Sequence, residues 1–169
     1  VYADTQELTD ILRSFEDGEL LVTEFNGEDF PLLNETTGLF ICGDIRCEEN
    51  TQLFGWHTLW LRNHNQWAED FRTESGITDD EIIFQNARIR NIVEYQYIIW
   101  EQYLPYLLGR RTFDDLTGEY SLDENEDPVN SLIFTTAVFR YGHSGVSNDF
   151  IFLDEDLQQT RTTVALAES

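Results

Sequence analysis

The sequence predicts a mainly α-helical chain with little β structure. Three features carry that prediction. Two long stretches, 50–71 and 78–109, repeat apolar residues at helical spacing. Helix-start signatures stand ahead of the helical runs, and alternating apolar–polar runs are few and short.

In chain order, the first helix is expected over 5–15. Asp4 with Glu7 forms a capping-box pattern, and Leu8, Ile11, Leu12 and Phe15 make one stripe. Residues 20–25 read as a short strand, and Asn26-Gly27 as a turn. The second helix, 50–71, places Leu53, His57, Trp60, Leu61, His64, Ala68 and Phe71 on one side. Thr78 and Glu81 form another capping box. They open a long helix carrying Ile82, Ile89, Ile92, Val93, Ile99 and Tyr103, which Pro105 and Gly109 bring to an end. Residues 110–127 are acidic and turn-rich, a surface excursion. Asp127-Pro128 starts a fourth helix, with proline in its tolerated first turn. This helix carries Leu132, Ile133, Thr136 and Arg140 up to Gly142-His143. The tail, 148–169, offers one short β-like alternation at Phe150 and Phe152 and then turns polar. No internal repeat or low-complexity tract interrupts this order.

The chain has 169 residues, 41% hydrophobic and 14% aromatic, which suits one domain with a real core and argues against disorder. Its 33 acidic residues against 10 Lys plus Arg give a formal charge of -23. That charge repels nucleic acid and anionic membrane surfaces, so neither is an expected partner. No apolar run reaches membrane-spanning length, and no signal peptide opens the chain. There is no Met and position 1 is Val, so the expectation is a processed piece of a longer precursor. Cys42 and Cys47 are compatible with a mutual bond, with bonds to other partners, or with free thiols. Asn34-Glu35-Thr36 is a glycosylation sequon, compatible with secretion.

Three histidines can be weighed singly. His57 and His64 lie seven apart on the apolar stripe of the second helix, which reads as two hydrogen-bonded core histidines; a helical two-histidine metal site uses i, i+4 spacing. His143 follows a helix in Phe139-Arg140-Tyr141-Gly142-His143-Ser144. A neutral imidazole there can ligate a metal, and Arg140, one turn back, can meet an anionic group of the same ligand. The bland alternative is a capped helix end. In Gly43-Asp44-Ile45-Arg46-Cys47-Glu48-Glu49-Asn50, Arg46 and Glu49 are three apart, so a helical turn would lay them side by side as an ordinary ion pair. Other acidic runs, such as Asp114-Asp115, read as solvated faces.

The wording of these segments resembles the animal haem peroxidases of the peroxidase–cyclooxygenase superfamily. The resemblance rests on Cys42-Gly43-Asp44-Ile45-Arg46, Glu49-Asn50, and His57-Thr58-Leu59-Trp60-Leu61-Arg62-Asn63-His64-Asn65. Tyr103-Leu104-Pro105 with Leu108-Gly109, and then Phe139 to Ser144, follow in the family's order. It implies a haem-dependent peroxidase that reduces hydrogen peroxide and oxidises a halide or an organic donor. His143 would be the axial ligand of the haem iron, and Arg140 would lie near a haem propionate. Arg46 would be the distal arginine that polarises bound peroxide, since a permanently charged group suits stabilisation of the leaving oxygen. Glu49 stands where many members form an ester to a haem methyl group. Asn50 replaces the Met with which one branch makes a sulfonium link, so that link is excluded. The resemblance puts the distal histidine, a second ester-forming aspartate and the calcium ligands before residue 1. It puts the helical region that closes the pocket after residue 169. Residues 1–169 are therefore expected to be a partial peroxidase domain that works with further peroxidase polypeptide in an extracellular or secretory compartment. The alternative reading is a peroxidase-derived structural or adhesive module without activity.

Overall fold

A computed structural model describes residues 1–111, 113, 125, 127, 129–147, 149–154, 156–158 and 164–165. They fall into two units, Val1–Leu116 and Thr117–Ser169, each considered by itself. The acidic stretch 110–127 lies largely outside the described residues, as does Pro128.

Thr5 rather than Asp4 caps the first helix, α1 (Gln6–Leu12), its hydroxyl accepting the Leu8 N–H. The helix stops three residues short of the expected end because Arg13 turns to extended backbone and bridges to Leu20. Leu12 is buried, while Ile11 and Phe15 stay exposed.

Three antiparallel strands follow as a meander: β1 (Val22–Phe25), β2 (Glu28–Asn34) and β3 (Leu39–Ile41). Asn26 and Gly27, both at positive φ, make the two-residue hairpin that pairs Phe25 with Glu28. In this stretch the sequence pattern predicts β1 alone, because Pro31 breaks the alternation of β2. Pro31 sits where pairing hands over: residues 28–31 face β1, and residues 32–34 face β3. The Thr23 hydroxyl then accepts the Leu33 N–H at 2.8 Å.

The second helix, α2 (Thr51–Ser75), is capped by Asn50, whose side chain accepts the Leu53 N–H, and ends at Gly76. Of its buried residues, Leu61, His64 and Ala68 lie on the stripe the spacing predicts, and Thr58 is buried beside them. Asp79, not Thr78, caps α3 (Asp80–Ile98). The apolar residues of α3 that the sequence singles out do not form its core face. Ile83, Phe84, Ala87 and Asn91 are buried, whereas Ile82, Ile89 and Val93 remain exposed. Both sides of this helix are apolar, and only the packing of α2 selects between them.

Pro105 does not end the helix. A π-helical turn (Ile99–Tyr103) leads into α4 (Leu104–Leu108), and the Leu104 N–H reaches the Ile99 carbonyl. The wider turn absorbs the missing proline donor, and Gly109 ends the segment.

In the second unit Ser131 caps α5 (Leu132–Thr136), so this helix starts later than expected. It is also not continuous to His143: the backbone breaks at Ala137 (φ −124°, ψ −63°), and a 3-10 helix (Val138–Gly145) takes over. The tail forms a small pair, β4 (Asp149–Phe150) with β5 (Val164–Ala165). No helix among the described residues is long and apolar enough to cross a membrane.

Candidate functional site

The Gly43–Asn50 segment carries two of the candidate residues. A disulfide joins Cys42 to Cys47, which settles the alternatives the sequence left open. The loop it closes is pinned on both sides. The Phe40 N–H donates to the Glu48 carboxylate at 2.9 Å, and a Cβ at Gly43 would lie 2.6 Å from the Val1 carbonyl oxygen. Only glycine lets the first two residues of the chain run this close.

Within the loop, Asp44 accepts three hydrogen bonds from Arg46: from its backbone N–H (2.8 Å), its Nε (3.0 Å) and its Nη2 (2.7 Å). The guanidinium therefore pairs with Asp44, two residues back, and not with Glu49 as the helical spacing predicted. The segment is a turn, with Glu49 N–H bonded to the Arg46 carbonyl, so the two side chains do not stack along a helix. Hydrogen bonds from Arg46 hold Asp44 well below the usual carboxylate range, and Asp44 in turn raises Arg46. The Arg46 side chain is 69% exposed, and Glu49 is exposed beside it. Arg46 and Asp44 thus form a solvent-facing ion pair on the loop.

Arg140 and His143 share the 3-10 helix of the second unit, and both are exposed. The Arg140 N–H bonds to the Ala137 carbonyl, which places the guanidinium-bearing residue at the start of the turn that ends in His143. The structure thus brings Arg46 together with Glu49 on one loop, and Arg140 together with His143 on one helix.

His57 and His64 behave as the stripe predicts. His57 is half-buried, and burial draws its pKa down. His64 is fully buried. Its Nε2 lies 3.0 Å from the Gly18 carbonyl, which can only accept, so Nε2 carries the proton. Nδ1 must then accept from the Tyr2 hydroxyl at 2.7 Å, and the Tyr2 oxygen accepts from Asn91 at 3.0 Å. Burial pushes the imidazole pKa down to about 4 and that of Tyr2 up. The next residue, Asn65, grips the Leu20 backbone with both ends of its amide, each at 2.9 Å. The His64-Asn65 wording is thus a clamp on residues 18–20.

Sequence reasoning missed a second fastening of this region. Arg13 is buried yet reaches Asp80 at 2.7 Å and Glu81 at 2.5 Å, with its guanidinium 3.9 Å from the centre of the Phe84 ring. Asp80 also accepts the Gly18 N–H at 2.7 Å. Glu81, read as a capping-box member, serves Arg13 instead. The sequence signal was an arginine directly after the apolar stripe of α1.

The family model for the animal haem peroxidase matches residues 1–169. The chain belongs to the animal haem peroxidase family. A peroxidase of Drosophila melanogaster is 31% identical over 99% of this chain and 27% of its own length. A chorion peroxidase of Aedes aegypti is 34% identical over 92% of this chain and 22% of its own. The structure of peroxidase A from Dictyostelium discoideum superimposes with a TM-score of 0.85 at 30% identity, covering 100% of this chain and 34% of that one. A fatty acid alpha-dioxygenase of Arabidopsis thaliana, 20% identical with a TM-score of 0.74, shares the fold. This peroxidase-family chain is mainly α, with one small three-stranded sheet in its first unit, and it spans about a fifth to a third of these three peroxidases.

Proposed function

We propose that this chain supplies the axial histidine, His143, and the distal arginine, Arg46, of a haem-dependent peroxidase that reduces hydrogen peroxide and oxidises a halide or an organic donor. The observation that carries the reading is the family match, whose span, residues 1–169, includes positions 46, 49, 140 and 143. The donor set suits haem: an exposed imidazole for the iron, an exposed guanidinium at Arg140 for a propionate, and an exposed carboxylate at Glu49 for an ester to the macrocycle. Haem, when bound, supplies the electron transfer between peroxide and donor.

The protein's part is electrostatic. Arg46 keeps its proton at every relevant pH, so it stabilises negative charge on the departing oxygen. Asp44 holds that guanidinium by two of its nitrogens and restrains its orientation. Arg46 cannot take a proton from peroxide, and neither can His64. Its Nε2–H is spent on the Gly18 carbonyl, its Nδ1 already accepts from Tyr2, and it is fully buried. The family resemblance places the base that moves the peroxide proton in further peroxidase polypeptide. Trp56, Leu59, Tyr97, Trp100 and Tyr106 are surface aromatics and aliphatics that such polypeptide would cover. Secretion or residence in an oxidising compartment is supported by the Cys42–Cys47 bond.

The test is spectroscopic, on the haem-loaded protein. His143→Ala should abolish or grossly shift the Soret band with the far-ultraviolet spectrum unchanged, while His57→Ala should leave it in place. A colourless wild-type protein would favour the inactive structural module. Loss of the band in the folded His57 variant alone would move the ligand away from His143.

A further inference from the structure

We infer that Asn34 is an N-glycosylation site, its Nδ2 carrying an oligosaccharide on the turn between β2 and β3. The sequence supplies the acceptor pattern, Asn34-Glu35-Thr36, and the fold puts it where a large enzyme and a bulky sugar can reach. Asn34 is the last residue of β2 and pairs with Leu39, the first of β3, so 35–38 form the tip of a hairpin, and all four are exposed. Leu39 itself is 58% exposed, and a Cβ built at Gly38 meets nothing within 4 Å. There is open space on this side of the sheet.

The Asn34 side chain is also posed. Its Oδ1 accepts the N–H of Thr36 at 3.0 Å and of Thr37 at 3.3 Å. Both bonds use the oxygen, so the amide is held by one end and Nδ2, the atom that takes the sugar, is not spent in them. The residue that must supply the hydroxyl, Thr36, is drawn back against the same amide. A second and independent observation concerns compartment. Eight residues on, β3 leads into Cys42, which is bonded to Cys47. A bond of that kind forms where proteins are oxidised during export, which is also where sugars are attached to asparagine.

The chemistry is a group transfer from a lipid-pyrophosphate-linked oligosaccharide. Nδ2 attacks the anomeric carbon, the carbon–oxygen bond to pyrophosphate breaks, and the lipid pyrophosphate leaves with that electron pair. One amide proton is given up to base, and nothing is oxidised or reduced. A glycan here would cover the exposed Leu39 at the edge of the sheet.

The inference is independent of haem and is read out by mass. The protein is secreted from eukaryotic cells as its full precursor, then treated with peptide-N-glycosidase in oxygen-18 water and mapped by peptide mass spectrometry. The expected result is an isotope-labelled Asp at position 34, present in the wild type and in Thr36→Ser, and absent from Thr36→Ala. Secreted wild-type protein whose peptide over position 34 has the bare polypeptide mass would overturn the inference. So would a label that persists at position 34 in Thr36→Ala. If Thr36→Ala fails to be secreted, the wild-type peptide alone decides.

Discussion

Replacing His64 by Leu separates two energies that the structure assigns to one side chain. At neutral pH the cost comes from broken hydrogen bonds. The Gly18 carbonyl loses its donor, and the Tyr2 hydroxyl loses its acceptor while keeping Asn91. A buried polar group left unpaired costs about 1–3 kcal/mol, so the variant should be about 2–4 kcal/mol less stable at pH 7.5. The second energy depends on pH. The folded-state pKa of about 4 lies below the ordinary value of 6.5, so between those values the unfolded chain binds more protons. Stability from the neutral imidazole is thus complete above pH 6.5 and is lost as pH falls through 4. At pH 5 the ratio of binding terms is about 30, a loss of about 2 kcal/mol. Urea titrations followed by tryptophan fluorescence at pH 7.5 and pH 5 measure both. Wild type should lose about 2 kcal/mol more than His64→Leu between the two pH values. An equal loss in both proteins would refute the neutral, single-tautomer assignment. Carboxylates held low, such as Asp44 and Glu81, add a loss at lower pH that the two proteins share.

Three other variants test the remaining framework. Gly18→Ala puts a side chain at φ +74° and a Cβ 2.6 Å from the Phe84 backbone nitrogen, so thermal unfolding should show a loss of about 2–4 kcal/mol. The double change Cys42→Ser and Cys47→Ser opens a loop of sequence separation 5, and loop-closure entropy puts the cost at about 2 kcal/mol in denaturant titration. A loss near zero would show that Phe40–Glu48 and the Gly43 contact hold the loop alone. Glu49→Gln should leave stability within about 0.5 kcal/mol, since the residue is exposed. It should also release haem to acid–organic extraction, whereas the wild type retains it; clean extraction from the wild type would refute the ester.

Where one face of a segment is apolar and the other polar, spacing sufficed. The stripe of α2 was read correctly, and with it the burial of Leu61, His64 and Ala68. Where both faces are apolar, as in α3, the pattern carries no direction, and Ile82, Ile89 and Val93 lie exposed. The strands β2 and β3 escaped notice because Pro31 interrupts alternation and because pairing is a long-range property. The site shows the same division. Motif wording proposes Arg46, Glu49, Arg140 and His143 as site residues, but it does not give the partner of Arg46, since i, i+3 proximity holds only on a helix and this segment is a turn.

What the sequence by itself determined is local or inherited: a mainly helical chain, the positions of α2 and α3, the Asn26-Gly27 turn, and the family wording at the candidate site. Each depends on residues close in sequence, where spacing and side-chain chemistry act directly. Only the tertiary structure decided which side of α3 is buried and that Cys42 bonds Cys47. The same holds for the capture of Arg13 by Asp80 and Glu81, and for the clamp of His64 and Asn65 on residues 18–20. Those outcomes join residues tens of positions apart, or choose among partners that the sequence offers equally. The choice is made by which arrangement buries apolar surface while leaving few polar groups unpaired.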